Sequence, residues 1–508
     1  MRPFRTPSRS AAAPRVRRRQ AGFAALAMAA TVSLGAPASA QPQPSAPQRP
    51  LVPEAFDLAP EVREAIDAAW LTDAERRGLQ VFHGQWTGSP PPEPVLAARI
   101  AAERLDPDDP ALADPAVPAW LRADVLRRIG RVAEALAIVV EAEAEAAAAG
   151  DDAEPAPATL RVHAEALADL GRHAEALAVL ERLAGRAAAV LAEAEPRPED
   201  LVELARGRHL AATLAGAPSN AWQDIVSLLS RVHQQIDRLH WPALVAEGDL
   251  LLEKHRGRAA MDAYHAALTL NPRAAGAWHG LGRLALRQFD FDGVARAASN
   301  LMALRPGHPL ASLLLAEMRL VQDDPDGAAE LLDALLERHP GLRPAMALRT
   351  AAAALRYDAD EMAAALAAWD AVSPGAPLAR TEAGRFLSTF RQYDAARPLL
   401  REAIEQLPAW GEPRLLLGLM EMQSGRDDLA AAVLREAARI DPFNARLANS
   451  LALIEELQDY ARIETEHFVV RYRDGEDAVL ASMMAEPLEA MHAEFVARFG
   501  TEPDRRTV

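Results

Sequence analysis

Six evenly spaced prolines constrain this chain more than any other feature of its sequence. They are Pro272, Pro306, Pro340, Pro374, Pro408 and Pro442. A proline cannot donate a hydrogen bond to the preceding helical turn, so a helix must end at or before each of these positions. A fixed period of about 34 residues indicates helical repeats, in which each unit packs against its neighbours.

Other positions of the repeat keep the same register. Apolar, mostly small residues stand twelve positions before each proline, where they let two helices approach closely: Ala260, Val294, Ala328, Met362, Ala396 and Ala430. Larger residues eight positions before a proline would fill the space between hairpins: Tyr264, Leu332, Leu366, Leu400 and Leu434. The period therefore predicts one helical hairpin for each proline interval.

This pattern resembles the tetratricopeptide repeat (TPR) family. In "AGAWHGLGRLALRQFDFDGVARAASNLMALRPGH", the family's motif positions are occupied by Trp278, Leu281, Gly282, Ala297-Ala298 and Pro306. The resemblance implies an all-α superhelical solenoid in which the first helix of each repeat lines a concave groove. In this family the groove usually holds an extended peptide or a partner helix.

The rest of the chain is organised around six such repeats at 241–444. We expect divergent helical hairpins at 119–240, with Gly130 and Gly171 supplying the turns between helices. Residues 51–118 predict a helical cap anchored by Trp70, Phe82 and Trp86, and residues 445–460 predict a capping helix.

The N-terminus predicts export. Residues 1–40 combine seven arginines, an apolar stretch and Ala38-Ser39-Ala40 as a cleavage site, which is the pattern of a signal peptide. A Pro- and Gln-rich linker that we expect to be disordered follows at 41–50. No other segment is long and apolar enough to span a membrane, so we expect a periplasmic or secreted protein with no membrane insertion after cleavage.

Composition excludes several functional classes. The net charge is −17, whereas a nucleic-acid-binding protein needs a basic surface. The chain has no cysteine, which excludes thiolate catalysis, disulfides and zinc–cysteine sites. A protein or peptide is the partner that the family resemblance implies, and the charge of the groove could also serve an anionic glycan.

The groove-facing positions of the first helices give the candidate binding residues. They are His279, Arg283, Arg287, Glu317, Thr381, Arg385, Thr389 and Gln423. Arginine suits the binding of carboxylates. The sequence leaves open whether Arg283, Arg287 and Arg385 contact a partner or pair with acids of the protein itself.

No motif predicts a catalytic site, a metal site or a cofactor. The chain lacks H-E-x-x-H, G-x-G-x-x-G, a P-loop and G-x-S-x-G. Glu489 and His492 form a single E-x-x-H, and we interpret His492 as a solvated helical residue.

The C-terminal end of the chain predicts an αβ segment at 461–508. "IETEHFVVRYRD" alternates as one strand would, and a helix from Glu476 to Phe499 and a second extended stretch follow. This strand–helix–strand order and the "HFVVRY" start resemble the beginning of a gluzincin-type (peptidase MA-like) domain. In that family the zinc helix comes later, which here would be beyond Val508.

Two functional hypotheses follow. The first is an exported scaffold that binds a protein or peptide in its concave groove. The alternative is the substrate-recognition arm of a zinc metallopeptidase, with residues 461–508 as the start of a truncated catalytic domain.

Overall fold

The computed structural model describes residues 58–503 and 506–507, apart from 87–89, 149–154, 194 and 218–219. The predicted signal peptide and linker lie outside the described residues. The rest forms the predicted all-α superhelical solenoid, with one small two-stranded sheet near its C-terminus. None of the described helices is long and apolar enough to cross a membrane.

Three helices and a short 3₁₀ turn make up the N-terminal cap: α1 (Pro60–Ile66), α2 (Asp73–Phe82), α3 (Pro94–Arg104) and Pro110–Ala113. Two of the three predicted anchors contact the repeats. The carbonyl of Phe82 accepts a hydrogen bond from Trp241 Nε1 at 2.7 Å, and Trp86 lies beneath the guanidinium of Arg273. Trp70 does not act as an anchor, since it lies in the loop between α1 and α2 and is 81% exposed.

Three divergent hairpins follow the cap. They are α4 (Ala119–Arg128) with α5 (Val132–Ala148), α6 (Pro157–Asp169) with α7 (His173–Ala192), and α8 (Pro198–Ala215) with α9 (Ala221–Arg231). A π-helical turn at Val232–Ile236 extends α9. Gly130 and Gly171 make the turns of the first two hairpins in the left-handed conformation, as the sequence predicts.

Six regular hairpins occupy the strict repeats. Their helices are α10 (Trp241–Glu253), α11 (Gly257–Leu270), α12 (Ala275–Arg287), α13 (Phe291–Leu304), α14 (Pro309–Val321), α15 (Pro325–Arg338), α16 (Arg343–Leu355), α17 (Ala359–Val372), α18 (Leu378–Thr389), α19 (Tyr393–Gln406), α20 (Gly411–Gln423) and α21 (Asp427–Ile440). The helix α22 (Ala445–Gln458) packs on α21 as the last element of the array.

The repeat prolines act as the sequence predicts. Every second helix of a hairpin ends two residues before its proline, and the residue between them is extended, as for Asn271 at φ −141° and Asp441 at φ −133°. This conformation is the one that a following proline favours. The chain can therefore reverse direction at the same point in every repeat.

Small and large residues alternate inside the hairpins. Gly248 packs against Tyr264, and Gly418 packs against Leu434; a Cβ atom at either glycine would lie 2.6 Å from its partner's side chain. Both partners are fully buried. This close approach holds the two helices of a hairpin together along their length.

Successive turns of the superhelix are in direct contact. The turns that follow α3, α6 and α10 each form a hydrogen bond with a loop that contains a repeat proline much further along the chain. Thus the carbonyl of Leu105 accepts a hydrogen bond from Arg305 at 2.7 Å, and that of Asp169 accepts one from Ser373 Oγ at 2.6 Å. After α10, the carbonyl of Lys254 accepts a hydrogen bond from the backbone N–H of Ala445 at 3.0 Å.

The stacking leaves little space between turns. A Cβ atom on Gly341 would lie 2.3 Å from the carbonyl oxygen of Gly130 in the turn below. The concave face of α10–α21 is therefore partly closed by the preceding superhelical turn rather than forming an open groove.

The C-terminal segment differs from the expected single strand. Residues 461–472 form an antiparallel hairpin of β1 (Ala461–Glu464) and β2 (Val469–Tyr472). The chain turns because Thr465 and Phe468 exchange hydrogen bonds, including Thr465 N–H to the Phe468 carbonyl at 2.9 Å. The helix α23 (Asp477–Phe499) follows and ends at Gly500, and the predicted second strand is a parallel bridge between Phe468 and Thr507.

Candidate binding cavity

A cavity of about 850 Å³ lies on the concave side of the regular repeats. Its wall consists mainly of the first helices of five hairpins, α12, α14, α16, α18 and α20. The ends of α8 and α10 close it from the preceding superhelical turn. All eight sequence-predicted residues line this cavity: His279, Arg283, Arg287, Glu317, Thr381, Arg385, Thr389 and Gln423.

The repeat register explains why these residues converge. They lie seven, eleven or fifteen positions after a repeat proline, on one face of the first helix. Sequence reasoning missed a further set four positions after the proline, in the first turn of that helix: Leu310, Pro344, Leu378, Glu412 and Arg446. These residues recur with the same period as the prolines, and that recurrence is the signal that would have identified them.

The cavity wall carries equal numbers of acidic and basic side chains. The acids are Glu253, Glu317, Glu382, Glu412 and Asp441, and the bases are Lys254, Arg283, Arg287, Arg385 and Arg446. A wall of balanced charge could be fully neutralised by internal pairs. The distances show that only some of the cations are paired.

Arg385 is paired with acids of the protein. Its guanidinium donates to Glu317 at 2.8 Å and to Glu382 at 2.5 Å, and it lies over the ring of Phe386. Burial acts to lower the pKa of Arg385, but the two carboxylates outweigh it and raise the pKa. The sequence left open whether Arg385 contacts a partner or pairs with acids of the protein itself. In the structure it pairs with acids of the protein.

Lys254 is paired as well. Its Nζ lies 3.1 Å from Asp441 and 2.8 Å from Glu253, and 3.4 Å from the centre of the Trp222 ring. The side chains of Lys254 and Asp441 are both almost completely buried. This ion pair joins two superhelical turns at the edge of the cavity.

Three arginines of the wall have no carboxylate within 4 Å among the described residues: Arg283, Arg287 and Arg446. Within the described part of the chain, Arg287 donates to the carbonyl of Leu252 and to the ring of His255. Burial and the charge of Arg283 lower the pKa of Arg287 to about 10, so the group stays cationic at neutral pH. The cavity therefore presents three exposed guanidinium groups that are not in direct contact with a carboxylate of the described residues.

His279 does not add to that charge. Burial, together with the charge of Arg283, lowers the pKa of His279 to about 3. The imidazole is neutral at pH 7 and can donate or accept one hydrogen bond inside the cavity.

The remaining wall is apolar. Leu313, Leu348, Phe386, Leu416 and Met420 line it, together with Trp410 and the exposed ring of Phe289. An apolar wall with a few charged groups suits a ligand that is mainly peptide-like or aliphatic and carries a small number of anionic groups.

Groups that could bind a metal do not converge in the cavity. In the part of the chain that the structure describes, the group of three metal-ligating side chains close enough to share an ion is His467, His492 and Glu502, outside the cavity. His492 is not the isolated solvated residue that the sequence suggests, since its ring stacks on that of His467.

Comparison with known proteins agrees with the repeat register. A family model described as tetratricopeptide repeat matches residues 245–293, 290–343 and 381–445. No curated protein sequence matches the chain.

Several solved structures are similar to this chain. The Cut9–Hcn1 hetero-tetramer of the APC/C is 15% identical with a TM-score of 0.36; the match covers 75% of this chain and 63% of that one, less than two thirds of its length. A tetratricopeptide repeat protein from Parabacteroides merdae is 13% identical with a TM-score of 0.33, covering 51% of this chain and 98% of that one. YrrB, described as a TPR protein with an unusual peptide-binding site, is 14% identical with a TM-score of 0.20. The match covers 44% of this chain and 96% of YrrB.

The period of the prolines, the stacked hairpins and the family match agree with one another. Residues 245–343 and 381–445 match the tetratricopeptide repeat model, and stacked helical repeats of this kind use their concave surface for binding.

Proposed function

We propose that this protein is a scaffold that binds an extended, acidic peptide segment of a partner protein in the cavity of its repeats. One observation carries the proposal. Arg283, Arg287 and Arg446 line the cavity without a carboxylate partner among the described residues, whereas the other cations of the wall are paired.

Unpaired guanidinium groups in a partly enclosed site favour a ligand with carboxylates. Hydrogen bonds that involve a charged group contribute about 1.5–3 kcal/mol each, roughly twice the value for neutral pairs. Arg283 and Arg287 lie one helical turn apart on the same face of α12, so two acidic groups of one segment can reach them together.

The apolar wall supports a peptide over a small anion. A free anion would leave the surfaces of Leu313, Phe386 and Met420 in water. A peptide with apolar side chains between its acidic residues would bury them, at about 25 cal/mol for each Å² of apolar surface.

Selection from a library of random peptides tests the proposal. The full chain is immobilised, a displayed library of short random peptides is selected on it, and the enriched sequences are compared with the input. We expect enrichment of Asp and Glu next to apolar residues. We expect the Arg283→Gln/Arg287→Gln variant to bind the enriched peptides at least about tenfold more weakly.

The matched control is Arg258→Gln, since Arg258 is an exposed arginine of α11 that lies outside the cavity wall. Binding of the same peptides should be unchanged in this variant. Peptides without an acidic preference, or equal loss of binding in the two variants, would contradict the role of the cavity.

We propose further that the protein is exported, because residues 1–40 have the composition of a signal peptide. The measurement is fractionation of the producing cells, followed by N-terminal sequencing of the purified chain. Export predicts a mature N-terminus at Gln41, and a cytoplasmic chain that still begins at Met1 would disprove it.

The metallopeptidase hypothesis remains as a second proposal. Two observations favour it: the parallel bridge between Phe468 and Thr507, which continues a strand–helix–strand connection, and the exposed apolar side chains of α23. These side chains are Val479, Leu480, Met483, Met491, Phe495 and Phe499. Helices in such connections normally pack on a sheet. The test is the gene sequence after codon 508, where this proposal requires an H-E-x-x-H helix in the same frame.

A further inference from the structure

A cluster of polar side chains joins three parts of the C-terminal segment. His467 lies in the turn between β1 and β2, His492 lies on α23, and Glu502 lies after that helix. One ligand atom from each residue lies within 4.8 Å of the other two. Residues from three separate stretches of the sequence thus place two imidazoles and a carboxylate at one point.

The orientation of His467 is set by Glu489. The Nδ1 atom of His467 lies 2.6 Å from Glu489 Oε2, and the backbone N–H of His467 donates to Glu489 Oε1 at 2.8 Å. Thr465 Oγ1 donates to the same carboxylate oxygen.

In this arrangement Nε2 of His467 faces Glu502 rather than Glu489. A carboxylate that binds one ring nitrogen fixes the tautomer and aims the other nitrogen, which is the usual support of a metal-binding histidine. Nε2 of His467 lies 3.4 Å from Glu502 Oε1. Ligands bound tetrahedrally to zinc at about 2.0–2.1 Å lie about 3.3 Å from each other, so this pair is already at the spacing of two zinc ligands.

His492 completes the group. Its ring stacks on that of His467 with centroids 3.8 Å apart, and it also contacts Phe468. Neither of its ring nitrogens has a hydrogen-bond partner among the described residues. One of its ring nitrogens already lies within 4.8 Å of the ligand atoms of His467 and Glu502.

We propose that His467, His492 and Glu502 form a binding site for Zn²⁺ or a similar first-row divalent ion, with Glu489 as a positioning residue. Imidazole nitrogens favour such ions over Mg²⁺ or Ca²⁺, which prefer oxygen ligands. Three protein ligands leave a fourth position for water. The ion would connect the β-turn, α23 and the segment after it.

Other histidine–glutamate pairs of the protein provide an internal contrast. His163 with Glu143 and His233 with Glu247 have ring nitrogens 2.5 and 2.7 Å from a carboxylate. No third ligand converges on either pair within the part of the chain that the structure describes. They should not bind the ion.

Equilibrium binding of Zn²⁺ to the full chain tests the proposal. The protein is dialysed against a buffered zinc solution, and bound metal is measured by mass spectrometry together with the visible spectrum of the Co²⁺-loaded protein. We expect one ion per chain and the intense absorption of four-coordinate cobalt. His492→Ala should abolish this binding, and Glu489→Gln should weaken it about 10–100-fold while keeping the stoichiometry.

The control is His233→Ala, which removes a paired histidine outside the cluster and should bind zinc as the unchanged chain does. Circular dichroism of each variant confirms that the helices are retained. Equal zinc binding by His492→Ala and by the unchanged chain, or the weak spectrum of six-coordinate cobalt, would overturn the proposal. Binding lost equally in His233→Ala would do so too.

Discussion

The contact between superhelical turns at Gly341 can be tested by adding a single methyl group. A Cβ atom at this position would lie 2.3 Å from the carbonyl oxygen of Gly130, and both partners are backbone, so neither can rotate away. The backbone of Gly341 is not in the left-handed region, so alanine adds no conformational strain there.

The two possible results differ in sign. Without a close contact, Gly341→Ala would stabilise the chain by about 0.4–1 kcal/mol, because alanine restricts the unfolded state. With the stacking seen here, relief of the overlap requires the two turns to move apart, and overpacking of this kind costs about 1–3 kcal/mol. We therefore expect a net loss of about 1–2 kcal/mol in the free energy of unfolding.

Urea denaturation of the full chain and hydrogen exchange near residues 126–132 and 341–346 would measure this change. The matched control is Gly185→Ala on α7, where a Cβ atom meets nothing within 4 Å. That variant should gain about 0.5–1 kcal/mol, the usual advantage of alanine in a helix. If Gly341→Ala were also stabilising and left the exchange unchanged, the inferred stacking would be refuted.

Three further predictions concern buried polar groups. Burial lowers the pKa of His308 to about 4, so the unfolded chain binds more protons than the folded one below pH 6.5. The free energy of unfolding should therefore fall by up to about 3 kcal/mol between pH 6.5 and 4. In His308→Asn, the denaturation midpoint should depend less steeply on pH. Lys254→Met should cost about 3–5 kcal/mol by leaving Asp441 buried without its partner, whereas the double variant Lys254→Met/Asp441→Leu should recover most of that loss in the same denaturation assay. Tyr264→Phe removes a 2.7 Å hydrogen bond to Asp249 and should cost about 1–3 kcal/mol in thermal unfolding, and a variant as stable as the unchanged chain would contradict this.

Much of the fold was predictable because the repeat signal is local. The prolines end each second helix, and the small residues face the large ones within one hairpin, so both effects operate inside a single repeat. The same register brought all eight predicted groove residues to one cavity. The repeat register does not reveal which arginines are paired, because a pair such as Arg385 and Glu317 joins residues 68 positions apart in the sequence.

Other predictions failed where no local signal exists. The stretch "IETEHFVVRYRD" contains no glycine or proline, so its turn at Thr465 was not visible in the alternating pattern. Trp70 was expected to anchor the cap because it is large and apolar, but whether such a residue is covered depends on neighbours from distant segments.

The hairpins, their period and the inward-facing side of each first helix follow from local sequence, because helix propensity, helix ends and packing within a hairpin all act between residues close in the chain. The tight stacking of the superhelix, the unpaired cations of the cavity and the meeting of His467, His492 and Glu502 follow only from the three-dimensional fold. These features depend on contacts such as that between Lys254 and Asp441, which are 187 residues apart. The separation between such residues is set by the superhelical rotation added at every repeat, and no local pattern encodes that sum.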